Sequence, residues 1–320
     1  MPPYRYTFRK FLKDWMLVLG ILAGAGSYLL YHALPCLHPA GPYLEKFCTG
    51  IQPVLLFSML FLTFCRIEPK DLRPRKWQAR LLLLQCTIFI ALALILAFCG
   101  GLEHRVGLES LMLCIICPTA TACAVVTGKL GGDMAGVVTY TILINIAVAI
   151  LVPAFVPLIH PVDGLGFFQA FFSILAKVFP LLILPCLAAW LTRYLFPKLH
   201  ARIIRHTDLS FYIWSVALTF AILMSTRALI NSDESLNILI DIAAASLAAC
   251  IFQFLAGRRI GAPYSQKITA GQALGQKNTV FGIWMGYTFL DPVTSIACGF
   301  YSIWHNLYNT WQLYRTRKNF

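Results

Sequence analysis

Ten long apolar runs recur along the chain, separated by short polar segments. They lie near residues 15–35, 47–65, 78–100, 107–129, 133–159, 167–195, 209–230, 236–256, 264–289 and 292–313. About 20 consecutive apolar residues cross the hydrocarbon core of a bilayer as a helix, so each run predicts one span. The runs are continuous rather than alternating, which excludes the dyad pattern of a transmembrane β-barrel. The predicted fold class is an all-α polytopic membrane protein with ten transmembrane helices.

The polar segments supply a topology. Arg5, Arg9, Lys10 and Lys13 against Asp14 precede span 1. Arg66, Lys70, Arg73, Arg75, Lys76 and Arg80 against Glu68 and Asp71 follow span 2. Arg193, Lys198, Arg202 and Arg205 against Asp208 follow span 6, and Arg258, Arg259 and Lys267 follow span 8. Arg315, Arg317 and Lys318 end the chain, while Lys129 and Asp133 cancel after span 4. The alternate segments are neutral or acidic. Glu45 meets Lys46, Glu103 and Glu109 outweigh Arg105, and Asp163 stands alone. Asp233, Glu234 and Asp241 outweigh Arg227, and Asp291 follows. Basic residues concentrate on the cytoplasmic side, so both termini are expected there. No small-residue cleavage site follows the basic start, so the first run reads as an uncleaved span. Short loops without added domains point to a bacterial inner membrane.

Composition agrees. Hydrophobic residues make up 59% of the chain and charged residues 12%, against roughly 45–50% and about 25% in a soluble domain. The net charge of +13 lies in the topology loops, so no nucleic-acid partner is expected. Most of the eleven cysteines sit inside apolar runs, where they act as small hydrophobes. Cys114 and Cys117 form a CxxC pair without a second pair or nearby histidines, so neither a metal site nor a cofactor is expected.

Two spans break the pattern. Span 4 carries Pro118 at its middle, followed by a small, hydroxyl-rich stretch, Thr119 to Cys123. Proline removes a backbone donor and clashes with the preceding turn. The first half of span 9 carries Gln266, Gln272, Gln276, Lys277 and Asn278 among glycines. Backbone leaves helical geometry at membrane depth only where protein buries it or a water cavity adjoins it. Either break alone reads equally as a packing kink. Together they occupy the fourth place in two sets of five, and five being odd, the second set must lie inverted. Paired interruptions of this kind point to the binding site of an inverted-repeat transporter. Half-helix N-termini near Thr121 and Asn278 would favour an anion.

At these breaks and in span 10 the chain resembles the bile acid:sodium symporter family. The stretch Cys117-Pro118-Thr119-Ala120-Thr121-Ala122-Cys123-Ala124 is similar to the family's CPGGTASN. Gly275-Gln276-Lys277-Asn278-Thr279 is similar to GMQNS, and Tyr301-Ser302-Ile303-Trp304-His305-Asn306-Leu307 to FSVVHNL. The resemblance implies two inverted five-helix repeats with helices 4 and 9 broken and crossing. It implies a core of spans 3–5 (77–160) and 8–10 (233–320), and a panel of spans 1–2 (1–76) and 6–7 (161–232) that rocks against it. The substrate it implies is a small organic anion such as a bile salt, usually moved with two sodium ions. The candidate substrate-binding residues are Thr119, Thr121, Lys277, Asn278, Thr279, His305 and Asn306.

The departures matter as much as the matches. The family's sodium sites correspond here to Cys123, Ala124, Val137, Thr141, Ala273 and Lys277, and of these only Thr141 offers a side-chain oxygen. Hard cations want several oxygen ligands, so sodium coupling is expected to be lost. An ionisable residue inside a span is functional by default. Lys277 therefore reads as a tethered substitute for a bound sodium ion, against the alternatives of snorkelling to the cytoplasm or pairing with a carbonyl. His305 and Asn306 read equally as helix-to-helix hydrogen-bonding groups. Lys177 reads as snorkelling or touching an anionic substrate, and Asp133 as the cap of span 5. The aromatic ends, Tyr301, Trp304, Trp311 and Tyr314, read as interface anchors. The reading is a monomeric secondary transporter or facilitator of an organic anion in the lipid bilayer, not an enzyme, working by alternating access without sodium. The alternatives are a cation/proton antiporter of related fold and a non-transporting membrane sensor.

Overall fold

The computed structural model describes residues 8–161, 164–206, 208–232 and 234–318. The charge signals expected at Arg5, Asp163 and Asp233 lie outside the described residues. The described residues are almost entirely helical and include no strand. The helices are α1 (Phe8–Ala33), α2 (Gly41–Cys65), α3 (Lys76–Phe98), α4 (Arg105–Ile116), α5 (Cys123–Lys129), α6 (Met134–Ile159) and α7 (Phe167–Leu182). They continue with α8 (Leu184–Leu195), α9 (Pro197–Arg205), α10 (Leu209–Ile230), α11 (Leu236–Gly261), α12 (Lys267–Gly275), α13 (Thr279–Phe289) and α14 (Ile296–Lys318).

Seven stretches are long and apolar enough to cross a membrane: α1, α2, α3, α6, α7 with α8, α10 and α11. The other three predicted spans differ for identifiable reasons. Spans 4 and 9 are interrupted as expected, into α4 with α5 and α12 with α13. At a rise of about 1.5 Å per residue no single piece approaches the ~30 Å of a hydrocarbon core. Span 10 is one helix of 23 residues, but His305, Asn306, Asn309 and Gln312 make it polar.

Two features of the helices go beyond the sequence reading. Span 6, expected to be continuous, bends at Ile183, between α7 and α8. Pro185 stands at the second position of α8 and has no N–H to continue the ladder. The basic loop that follows contains α9, a short helix whose His200 is buried and bonds the carbonyl of Cys65 at 2.7 Å. Asp133 caps α6 as expected, accepting from the Gly136 N–H at 3.0 Å. It also pairs with Arg75 at 2.5 Å.

Neighbour relations fall into two groups. In one, α1 packs on α10, and α2 packs on α8 and α10. In the other, α3 packs on α4 and α6, and α11 packs on α4, α12 and α14. The α11–α12 approach is close enough that a Cβ on Gly257 would stand 2.5 Å from the Ala270 carbonyl oxygen. The groups meet where α6 lies on α7 and where α10 lies on α13 and α14.

Candidate substrate site at the crossing of two broken helices

The residue before a proline is pushed to extended backbone, and Cys117 adopts φ −47°, ψ 129°. That ends α4 and sends residues 117–122 across the molecule. In the other broken helix Gln276 is extended (φ −91°, ψ 102°). Asn278 then caps α13, its side chain accepting from the Phe281 N–H at 3.3 Å. The two irregular segments meet as an antiparallel bridge between Thr119 and Lys277. Ala120 N–H donates to Gln276 O and Asn278 N–H to Pro118 O, both at 2.8 Å. Further bonds tie the segments together. The Thr119 hydroxyl donates to Ala273 O at 2.7 Å, and the Cys117 thiol to Asn278 O at 2.9 Å. Each break thus satisfies backbone groups that the other has freed, as burial in apolar surroundings requires.

A second layer holds the half-helix ends. The Gln85 amide of α3 donates to Ile115 O at 2.7 Å, and the Tyr140 hydroxyl of α6 donates to Gln85 Oε1 at 2.6 Å. On the other side the Gln253 amide of α11 donates to the Tyr301 hydroxyl of α14 at 3.1 Å. That hydroxyl donates to Gly275 O, at the end of α12, at 2.8 Å. Gln85 thus serves the end of α4 and Tyr301 the end of α12, while the Gln253 amide also donates to Cys114 O of α4 at 3.3 Å. Gln85, Tyr140 and Gln253 were not singled out from sequence; a lone polar residue in an apolar run gives no clue to its partner. Tyr301, expected among the interface anchors, is instead 1% exposed inside the protein.

Lys277 does not snorkel. It is 2% exposed, and its ammonium donates to Ile115 O at 3.2 Å. Pairing with a carbonyl, one of the alternatives, is thus what the structure shows. The surrounding ionisable groups are the thiols of Cys114, Cys117, Cys123 and Cys298; among the described residues no carboxylate pairs with it. Gly282 lets α13 lie against this thiol cluster, since a Cβ there would overlap the Cys298 sulfur and stand 3.2 Å from that of Cys117. Near the lysine, Gln276 Oε1 and Asn278 Nδ2 are buried with no hydrogen-bond partner among the described residues. Polar atoms buried without partners are costly, so these two are available to a polar ligand.

The remaining nominated residues divide. Thr119 and Thr279 are buried at the crossing, and Thr121 stands in the turn before α5. That helix has only seven residues, so it sums fewer peptide dipoles than α13 and the anion-favouring end expected near Thr121 is the weaker one. His305 is buried with Nδ1 unpartnered and its ring edge-on to Tyr301 at 5.7 Å. Asn306 donates to Ser302 O within α14 at 2.7 Å. Neither hydrogen-bonds the crossing segments. Cys123, Ala124, Val137, Thr141 and Ala273 are buried. The one hydroxyl among them, on Thr141, donates to Val137 O of its own helix at 3.0 Å. Of the six side chains at these positions, only that of Thr141 carries an oxygen.

A helical membrane protein whose two broken helices exchange backbone hydrogen bonds at a buried crossing has the construction of a secondary transporter. Residues 53–233 match the Sodium Bile acid symporter family, and the chain belongs to it. That family is one of transporters, not enzymes. The match contains the first break and the 117–124 motif; the motifs at 275–279 and 301–307 lie beyond it. The chain is also similar to an uncharacterized sodium-dependent transporter, YocS, of Bacillus subtilis (strain 168). The two are 23% identical over 270 residues, which cover 83% of this chain and 81% of that protein.

Proposed function

We propose that the protein carries an organic anion across the membrane by alternating access, without sodium, and that Lys277 supplies the positive charge an ion would otherwise bring. The observation that carries the reading is the ammonium of Lys277, buried at the crossing with no carboxylate partner among the described residues. A buried unpaired charge is costly, and an anionic ligand offsets that cost. Lys277, the unpartnered Nδ2 of Asn278 and the N-terminus of α13 all favour negative charge. Thr121 and Thr279 add hydroxyls, the Thr119 hydroxyl being committed to Ala273 O, and His305 and Asn306 would join them on the α14 side.

The ten-span inverted repeat is supported by the glutamine–tyrosine pairs. Gln85 and Tyr140 lie on spans 3 and 5 as Gln253 and Tyr301 lie on spans 8 and 10, and each glutamine hydrogen-bonds its tyrosine. The two packing groups support a core (77–160 and 233–320) and a panel (1–76 and 161–232) as the bodies that rock. The basic loops support cytoplasmic termini.

Uptake of radiolabelled cholate into proteoliposomes tests the reading. Wild-type uptake is expected to be equal in sodium and potassium chloride, and Lys277→Ala to lower it about 100-fold, roughly 2.7 kcal/mol. Steep sodium dependence, or wild-type uptake by the mutant, would overturn it.

A further inference from the structure

A single residue, Phe196, separates α9 from the stretch Phe167–Leu195, which is long and apolar enough to cross a membrane. One residue adds at most about 3.6 Å of chain, so α9 starts at the membrane surface. Its two faces differ. On one, His200 is buried against Cys65 O at the end of α2, and Ile203 packs on the hydrophobic core. Helix positions three and four apart are neighbours, and Lys198, Arg202 and Arg205 form such a row on the opposite face, all three exposed. Leu195, Phe196 and Leu199, which adjoin the row along the chain, are exposed as well.

The row has no counter-charge from the protein. Glu68, which reaches Arg193 of α8, is already held by Lys70, and Asp133 is held by Arg75. Lys198, Arg202 and Arg205 take part in no ion pair among the described residues. Like charges three and four residues apart repel, and an anion relieves that repulsion. The exposed apolar side chains decide which anion. Inorganic phosphate would meet the cations and leave Leu195, Phe196 and Leu199 uncovered. A phospholipid meets both, its phosphate lying on the basic row and its acyl chains on the apolar side chains.

We infer that α9 is a docking surface for anionic phospholipid headgroups, held by Lys198, Arg202 and Arg205, with the acyl chains against Leu195, Phe196 and Leu199. Because His200 ties α9 to the end of α2, bound lipid fastens α2 and α8 together at the membrane surface. This surface goes beyond the transport reading and does not depend on it.

Native mass spectrometry of the full chain in detergent tests it, with dioleoyl phosphatidylglycerol and dioleoyl phosphatidylcholine as probes. The wild type is expected to bind its first phosphatidylglycerol at least tenfold more tightly than phosphatidylcholine, with the preference shrinking as salt rises. Replacing Lys198→Gln, Arg202→Gln and Arg205→Gln together should cut the preference to less than threefold. Replacing Arg73→Gln, Lys76→Gln and Arg259→Gln together removes as many exposed charges from other segments and should keep it. An unchanged Tm identifies each variant as folded. Equal losses in the two variants would make the effect one of overall positive charge and overturn the surface. So would an undiminished preference in the α9 variant, no preference in the wild type, or displacement of phosphatidylglycerol by millimolar inorganic phosphate.

Discussion

Two buried charged groups in this protein are treated in opposite ways. Glu109, on α4 near the end opposite the basic loops, is 2% exposed, as is Lys277 at the crossing. The Glu109 carboxylate accepts from Asp291 N–H at 3.1 Å and from the Thr294 hydroxyl at 3.0 Å, and pairs with His160 at 3.0 Å. Lys277 has a single carbonyl, which the Gln85 amide also serves. Burial without compensation is the expensive arrangement. A charge fully met by its own chain fastens α4 to the turn before α14 and to the residue that ends α6. A charge left unmet where two irregular segments cross is better explained by what it binds.

The contrast is broken most forcefully by mutating each member. Glu109→Ala leaves His160 and the Asp291 N–H without their acceptor, while the Thr294 hydroxyl keeps Asp291 O, and should destabilise by about 3 kcal/mol, measured by unfolding in detergent. Lys277→Met should have the opposite sign, with Tm unchanged or raised, because a desolvated charge is removed and Ile115 O keeps the Gln85 amide. Equal losses in the two variants would abolish the distinction drawn between them.

A smaller effect sharpens the comparison at the surface. His104, exposed in the loop between spans 3 and 4, pairs with Asp241 in the second turn of α11 at 2.7 Å. The Asp241 carboxylate raises the His104 pKa above its ordinary value. The pair's contribution is therefore fully present below about pH 6.5 and is lost as pH rises through the raised value. Solvent screening keeps it slight. Asp241→Asn should flatten this part of the Tm–pH curve and leave cholate uptake alone.

The legible part of the structure was that which repeats along the chain. Ten apolar runs predicted the helices, and Pro118 with the polar run Gln272–Asn278 predicted both breaks, because proline geometry and hydrocarbon solubility act locally. The bend at Ile183 was missed although Pro180 and Pro185 flank it, since proline is also tolerated inside helices, as Pro53, Pro153 and Pro157 are here. What the sequence could not supply was partnership. Gln85 and Gln253 look alike in an apolar run, and only folding shows that each serves a half-helix end. Lys177, read as snorkelling or as touching an anionic substrate, is exposed with its ammonium 5.6 Å from the ring centre of Phe289. Tyr301 had the composition of an interface anchor and the position of a core hydrogen-bonding group.

The central claim is that the Lys277 ammonium occupies the place of a bound cation. It is tested most directly by the Tm of purified protein in sodium against potassium chloride at equal ionic strength. A ligand of the folded state alone adds RT ln(1 + [L]/Kd), about 2.7 kcal/mol at 100 times Kd. The account predicts the same Tm in both salts. A sodium-specific rise in the wild type, retained in Lys277→Met, would show that sodium binds without regard to this lysine and would contradict it.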